Sequence, residues 1–122
     1  MTIQECYQQL GGDYAQVELR LTSAALVKRF ITKFLEDKSF EQLCQAFASG
    51  NREESFRAAH TLKGVCANLG FDRLLSSAGD LSEILRTAND TIPAEAASLL
   101  TTVQRDYAQT VETISAFLND DQ

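Results

Sequence analysis

Apolar positions recur at helical spacing along almost the whole chain. In TSAALVKRFITKFLEDK (22–38), Leu26, Val27, Phe30, Ile31, Phe34 and Leu35 fall on one stripe, which predicts an amphipathic helix. Ser39 and Gln42 have the spacing of a capping box and open a short helix, FEQLCQAFAS. Gly50 and Asn51 interrupt it, and Asn51 with Glu54 forms a second capping-box candidate. The next helix is therefore predicted over 52–69, stopping at Gly70, a residue suited to the left-handed C-cap conformation. Another follows over about 72–88, with Leu74, Ala78, Leu81 and Leu85 on its apolar stripe. TANDTIP reads as a loop, with Pro93 near the first turn of the last helix. That helix carries Leu100, Val103, Tyr107, Val111, Ile114, Phe117 and Leu118 as a long stripe. The first 20 residues hold one or two shorter helical pieces broken at GGDY, and the closing NDDQ reads as a frayed, solvated end.

A single proline and the scarcity of alternating β-branched runs leave little room for a sheet. The expected architecture is all-α: an antiparallel four-helix bundle over about 22–120, preceded by an N-terminal helical extension over 1–20. All of 1–122 is expected to form one domain, since 122 residues suffice for one hydrophobic core.

Charge and cysteine content narrow the function. Seventeen acidic against eleven basic residues give a formal charge of −6, which argues against a nucleic-acid binder or a membrane-surface helix. No apolar run reaches the roughly 20 residues needed to span a bilayer, and MTIQECYQQLGGDY lacks the basic-then-apolar order of a secretory signal. Cys6, Cys44 and Cys66 are odd in number and widely spaced, which suggests free buried thiols in a reducing cytoplasm. No metal site is expected, because only one histidine is present and Cys66 falls on the core face of its helix.

That histidine lies in AAHTLKGVCANLG (58–70). On a wheel at about 100° per residue, Ala58, Leu62, Val65, Cys66 and Leu69 gather opposite His60. Glu53, Phe56, Gly64 and Ala67 share the His60 face, with Arg57 and Lys63 flanking it on either side. A solvated helix face is normally lined with Glu, Lys and Gln; this one surrounds an imidazole with apolar or side-chain-free surface and borders it with two cations. Gly64, at i+4, leaves open the space beside the ring, although a mid-helix glycine costs about 1 kcal/mol relative to alanine. An imidazole nitrogen is a nucleophile, and a lysine one turn away can meet the negative charge of a phosphoryl group. No nucleotide-binding loop is present, so such a group would have to arrive on another protein.

The segment HTLKG (60–64), with AA before it and ANLG after it, resembles the histidine-containing phosphotransfer (HPt) domain of multistep two-component phosphorelays. The resemblance extends in helical pattern over roughly 20–118. It implies a four-helix bundle with an exposed histidine on its second helix, which accepts phosphoryl from a receiver aspartate or a histidine kinase and passes it to another receiver. His60 then matches the phosphoacceptor, modified on Nε2; Lys63 the residue that stabilises the phosphoryl group; and Gly64 the position that admits the receiver. Ala67 matches a small docking position, and the wheel adds Phe56 and Arg57 to the docking face. A polar side chain from a neighbouring helix is expected to orient the imidazole, with Gln42, Gln45, Asp80 and Glu83 as candidates. The protein is expected to be a cytoplasmic, monomeric phosphocarrier rather than an enzyme, with no cofactor of its own and Mg2+ on the partner receiver. The alternative is a non-phosphorylated helical adaptor using the same face.

Overall fold

The computed structural model describes residues 1–87 and 89–120, which form seven helices and no strand. They are α1 (Ile3–Gln9), α2 (Tyr14–Leu21), α3 (Ala24–Phe34), α4 (Ser39–Ala48), α5 (Arg52–Leu69), α6 (Asp72–Leu85) and α7 (Ala96–Asp120). The fold is all-α, as the periodicity predicts.

Helices α4 to α7 make an antiparallel four-helix bundle. Arg52 at the start of α5 donates to the Leu85 carbonyl at the end of α6, 2.8 Å away. Arg73 at the start of α6 reaches Gln109 in the second half of α7 at 3.0 Å. The circuit closes between α4 and α7, where the Phe40 and Tyr107 rings stack with centroids 3.8 Å apart and the Gln104 amide approaches the Cys44 sulfur. Short turns joining α4 to α5 and α5 to α6 leave an antiparallel hairpin as the packing available.

The three N-terminal helices close one end of the bundle. Tyr7 is fully buried and donates its hydroxyl to the Leu69 carbonyl at 2.7 Å. Its ring packs against Phe71, which Phe34 of α3 meets edge-on at 5.0 Å. Arg20 of α2 donates to the carbonyls of Ala67 and Asn68, supplying a cation at the C-terminus of a helix whose own last turn has none. Cys6, Tyr7, Leu10, Tyr14 and Val17 thus belong to the same buried cluster as Leu62 and Ile114.

Some local expectations change. The helix predicted from 22 begins at Ala24, because Thr22 adopts a left-handed conformation and Ser23 caps Leu26. It ends at Phe34 in a tightened last turn, leaving Leu35 36% exposed rather than in the core. The Ser39–Gln42 capping box does not form: Ser39 is the first helical residue, the Gln42 amide donates to the Lys38 carbonyl, and Asp37 accepts from the Ser39 amide. Asn51 does accept from the Glu54 amide at 3.0 Å, but the Glu54 carboxylate turns to Arg57 instead of back to the cap. A complete capping box, absent from the predicted set, occurs at Thr2 and Glu5. Helix α6 stops at Leu85, and Pro93 precedes α7, accepting from the Ala96 amide. Asn119 and Asp120 of the NDDQ tail are helical, and Asp120 meets the Met1 amine at 3.2 Å. The last two tail residues, and Ala88 of the TANDTIP loop, lie outside the described residues.

Candidate functional site

Helix α5 runs through the bundle with two unlike faces. Ser55, Ala58, Ala59, Leu62, Cys66 and Leu69 are buried, and Val65, expected in the core, is half-buried beside them. His60, Arg57, Gly64 and Ala67 are exposed, while Phe56 and Lys63 are half-buried at the margin. The start of the helix is stabilised by the Asn51 cap and by Glu53 and Glu54 in the first turn, where acidic groups favour the helix dipole.

His60 sits on the crest between two neighbours. Toward α6, Phe56 lies beneath the Arg86 guanidinium, which is 5.8 Å from its ring centroid. Lys63 lays its stem across α6 at Gly79, where an added β-carbon would meet its Cδ and Cε at 3.8 Å. The outer part of the stem therefore lies close over α6, and a four-carbon chain that is otherwise free loses part of its rotamer freedom. Toward α4, Arg57 and Thr61 line an open groove with Gln42, Gln45, Ala46 and Ser49. Arg57 is not the free cation that the wheel suggests: its guanidinium pairs with Glu54 at 2.8 Å and Glu53 at 3.3 Å. Lys63 is thus the cation of this crest that forms no ion pair among the described residues.

None of the four residues expected to orient the imidazole does so. Gln42 and Gln45 face the α4 groove, Asp80 lines a separate surface with Arg73 and Thr102, and Glu83 pairs with Arg86. The helical wheel gives each candidate a direction but not the side-chain reach across to α5, and that reach is absent. The neighbour His60 does have is the aromatic ring of Phe56, its centroid 5.7 Å from that of the imidazole with the planes inclined by 23°. Arg86 and Gly79 were missed by sequence reasoning. The available signal was a second mid-helix glycine, in the 72–85 segment, about two turns before an arginine at the helix end.

Gly64 differs from the chain's other glycines. A β-carbon built there meets nothing within 4 Å, and its backbone is not left-handed. The bundle therefore has no internal need for a glycine at this position. The cysteines lie away from the crest: Cys6 and Cys66 are fully buried, and Cys44, expected to be buried, is only half so. Burial pushes the Cys66 thiol up to about 12 and the Cys6 thiol up to about 11, so neither is a nucleophile near neutral pH.

Among the described residues, no cluster of three or more His, Cys, Asp or Glu side chains converges to hold a metal, and no helix is long and apolar enough to cross a membrane. No curated protein and no solved structure matches the chain. Comparison with known families matches residues 25–117 to the Hpt domain, a span holding α3 through most of α7 and the whole His60 crest. With its all-helical bundle and a match over most of its length, the chain belongs to the Hpt domain family, the phosphotransfer modules of phosphorelays.

Proposed function

We propose that His60 is the phosphoacceptor of a phosphocarrier that moves a phosphoryl group between receiver-domain aspartates, or takes it from a histidine kinase. In the transfer, Nε2 of His60 attacks the phosphorus of an aspartyl phosphate; the P–N bond forms as the P–O bond to the receiver breaks and its carboxylate is released. Lys63 meets the charge on the phosphoryl oxygens. Phosphoryl transfer needs chiefly positioning and charge neutralisation, so one nucleophile and one cation suffice on this side when the receiver brings Mg2+. Gly64 and Ala67 leave a flat approach for the receiver, with Phe56 and Arg57 at the rim of the same surface.

The observation that carries this reading is the pairing of an exposed histidine, without a hydrogen bond among the described residues, with an exposed mid-helix glycine that the fold itself does not require. A histidine buried for structural use would need a hydrogen-bond partner within the bundle, whereas this one is exposed. The receiver must leave after each transfer, so the interface belongs at the low end, about 1,200 Å² or less.

The test is phosphotransfer from phosphorylated receiver domains of the same genome. Acid-labile, base-stable label on the wild type and none on His60→Gln is the expected result, with Lys63→Ala labelled more slowly. Receiver binding without label would leave only the adaptor reading. Label persisting on His60→Gln would place the acceptor elsewhere.

A further inference from the structure

The imidazole of His60 has no polar partner among the described residues, yet it is not without a neighbour. Phe56 precedes it by one helical turn and stacks on it at 5.7 Å, inside the window of roughly 4.5–7 Å over which aromatic pairs attract. Phe56 is itself restrained, being half-buried against the core cluster and covered by the Arg86 guanidinium at cation–π distance. Arg86 is the C-cap residue just after α6, and its Nε pairs with Glu83 at 3.6 Å. A continuous stack thus runs from the end of α6 to the ring on α5.

Building on the assignment of His60 as phosphoacceptor, we propose that Phe56, held by Arg86, is the positioning residue for the His60 imidazole. The stack selects one ring orientation while leaving both ring nitrogens unoccupied by the protein. A hydrogen-bonding side chain would have taken one of them and set the tautomer. An aromatic neighbour orders the ring without spending either nitrogen, so Nε2 stays available for the phosphoryl group and Nδ1 takes its partner from water or from the docked receiver. Ordering matters because a docked aspartyl phosphate is fixed in space, and ring orientations that miss its phosphorus do not react.

A positioning role and a docking role for the same ring make different predictions. The receiver domain that labels the wild type would be used in single-turnover transfer at saturating concentration, together with its dissociation constant. Phe56→Leu keeps an apolar side chain but removes the ring. It should lower the saturating rate about tenfold while changing affinity by no more than about twofold, because orientation acts after binding. Phe56→Tyr should restore the rate, and Arg86→Met should give an intermediate loss.

The His60 ring protons provide an independent readout, since stacking on Phe56 shifts them upfield in the NMR spectrum. That shift should vanish in Phe56→Leu and persist in Phe56→Tyr. Weakened binding with an unchanged saturating rate would leave Phe56 only its place at the docking rim and overturn the proposal. So would an upfield shift that survives Phe56→Leu. A wild-type chain showing the shift but taking label from no receiver would instead remove the phosphoacceptor assignment, and the positioning role with it.

Discussion

Gly64 and Gly70 lie on the same stretch of chain, one in the middle of α5 and one capping its end, and they serve opposite sides of the molecular boundary. Gly70 is buried and left-handed at φ 74°, its amide donates to the Cys66 carbonyl, and a β-carbon there would collide with the Val17 side chain of α2. The backbone of Gly12 presses so closely on the Gly70 carbonyl that it too has no room for a side chain. Every reason for Gly70 is therefore found inside the protein. Gly64 is exposed, has an ordinary backbone and faces open space. Its reason has to be sought outside, in a molecule that approaches the crest beside His60. A glycine that the fold does not explain is evidence about a partner, whereas one that the fold explains fully is not.

The comparison can be broken most sharply at Gly70. Gly70→Ala meets both the left-handed backbone penalty and the Val17 collision, and should destabilise the protein by about 3 kcal/mol in urea unfolding. A loss below about 1 kcal/mol would mean that α2 yields easily there. Next in size is Gly64→Gln, which should unfold at nearly the wild-type urea concentration yet slow transfer from a receiver by about tenfold or more, because its side chain stands where the partner docks. Unchanged transfer would remove the docking role of the glycine.

The buried face of the same helix makes a smaller, pH-dependent prediction. Cys66 is held up to about 12 and Cys6 to about 11 from an ordinary 9.0, both by burial. Above pH 9 the unfolded chain gives up these protons while the native protein keeps them. The stability that the neutral thiols contribute is therefore complete below pH 9 and is lost as pH climbs toward 11–12, by on the order of 1 kcal/mol per thiol near pH 10. Urea midpoints measured at pH 8 and pH 10 should fall with pH, and Cys66→Ala should flatten the trend. The smallest effect sharpens the glycine comparison. Gly64→Ala should stabilise the protein by about 0.5–1 kcal/mol, the opposite sign from the same substitution at Gly70, since it fills nothing and only reduces backbone freedom in a helix.

The exposure of His60 and the burial of Leu62 and Cys66 were legible from the chain because helical phase is a local property: 100° per residue assigns faces without knowing what packs on them. The left-handed cap at Gly70 was legible for the same reason. The capping boxes show where local reasoning stops. Ser39 and Gln42 have the required spacing, but the Asp37 turn places Ser39 inside the helix, and the box fails.

Sequence by itself determined the helices, their apolar stripes and the exposed histidine one turn from a lysine and a glycine. All of these depend on spacing within a single helix. The pairs of Glu53 and Glu54 with Arg57 are contacts within one helix, at i,i+4 and i,i+3, whereas tertiary structure alone decided that Lys63 lies across Gly79 and that Arg86 reaches Phe56. It likewise decided that Arg20, from an early helix, neutralises the end of α5. The last three contacts join residues far apart in the chain through side chains whose reach depends on how neighbouring helices cross. The helical repeat determines which way a residue points, and only packing determines what it meets.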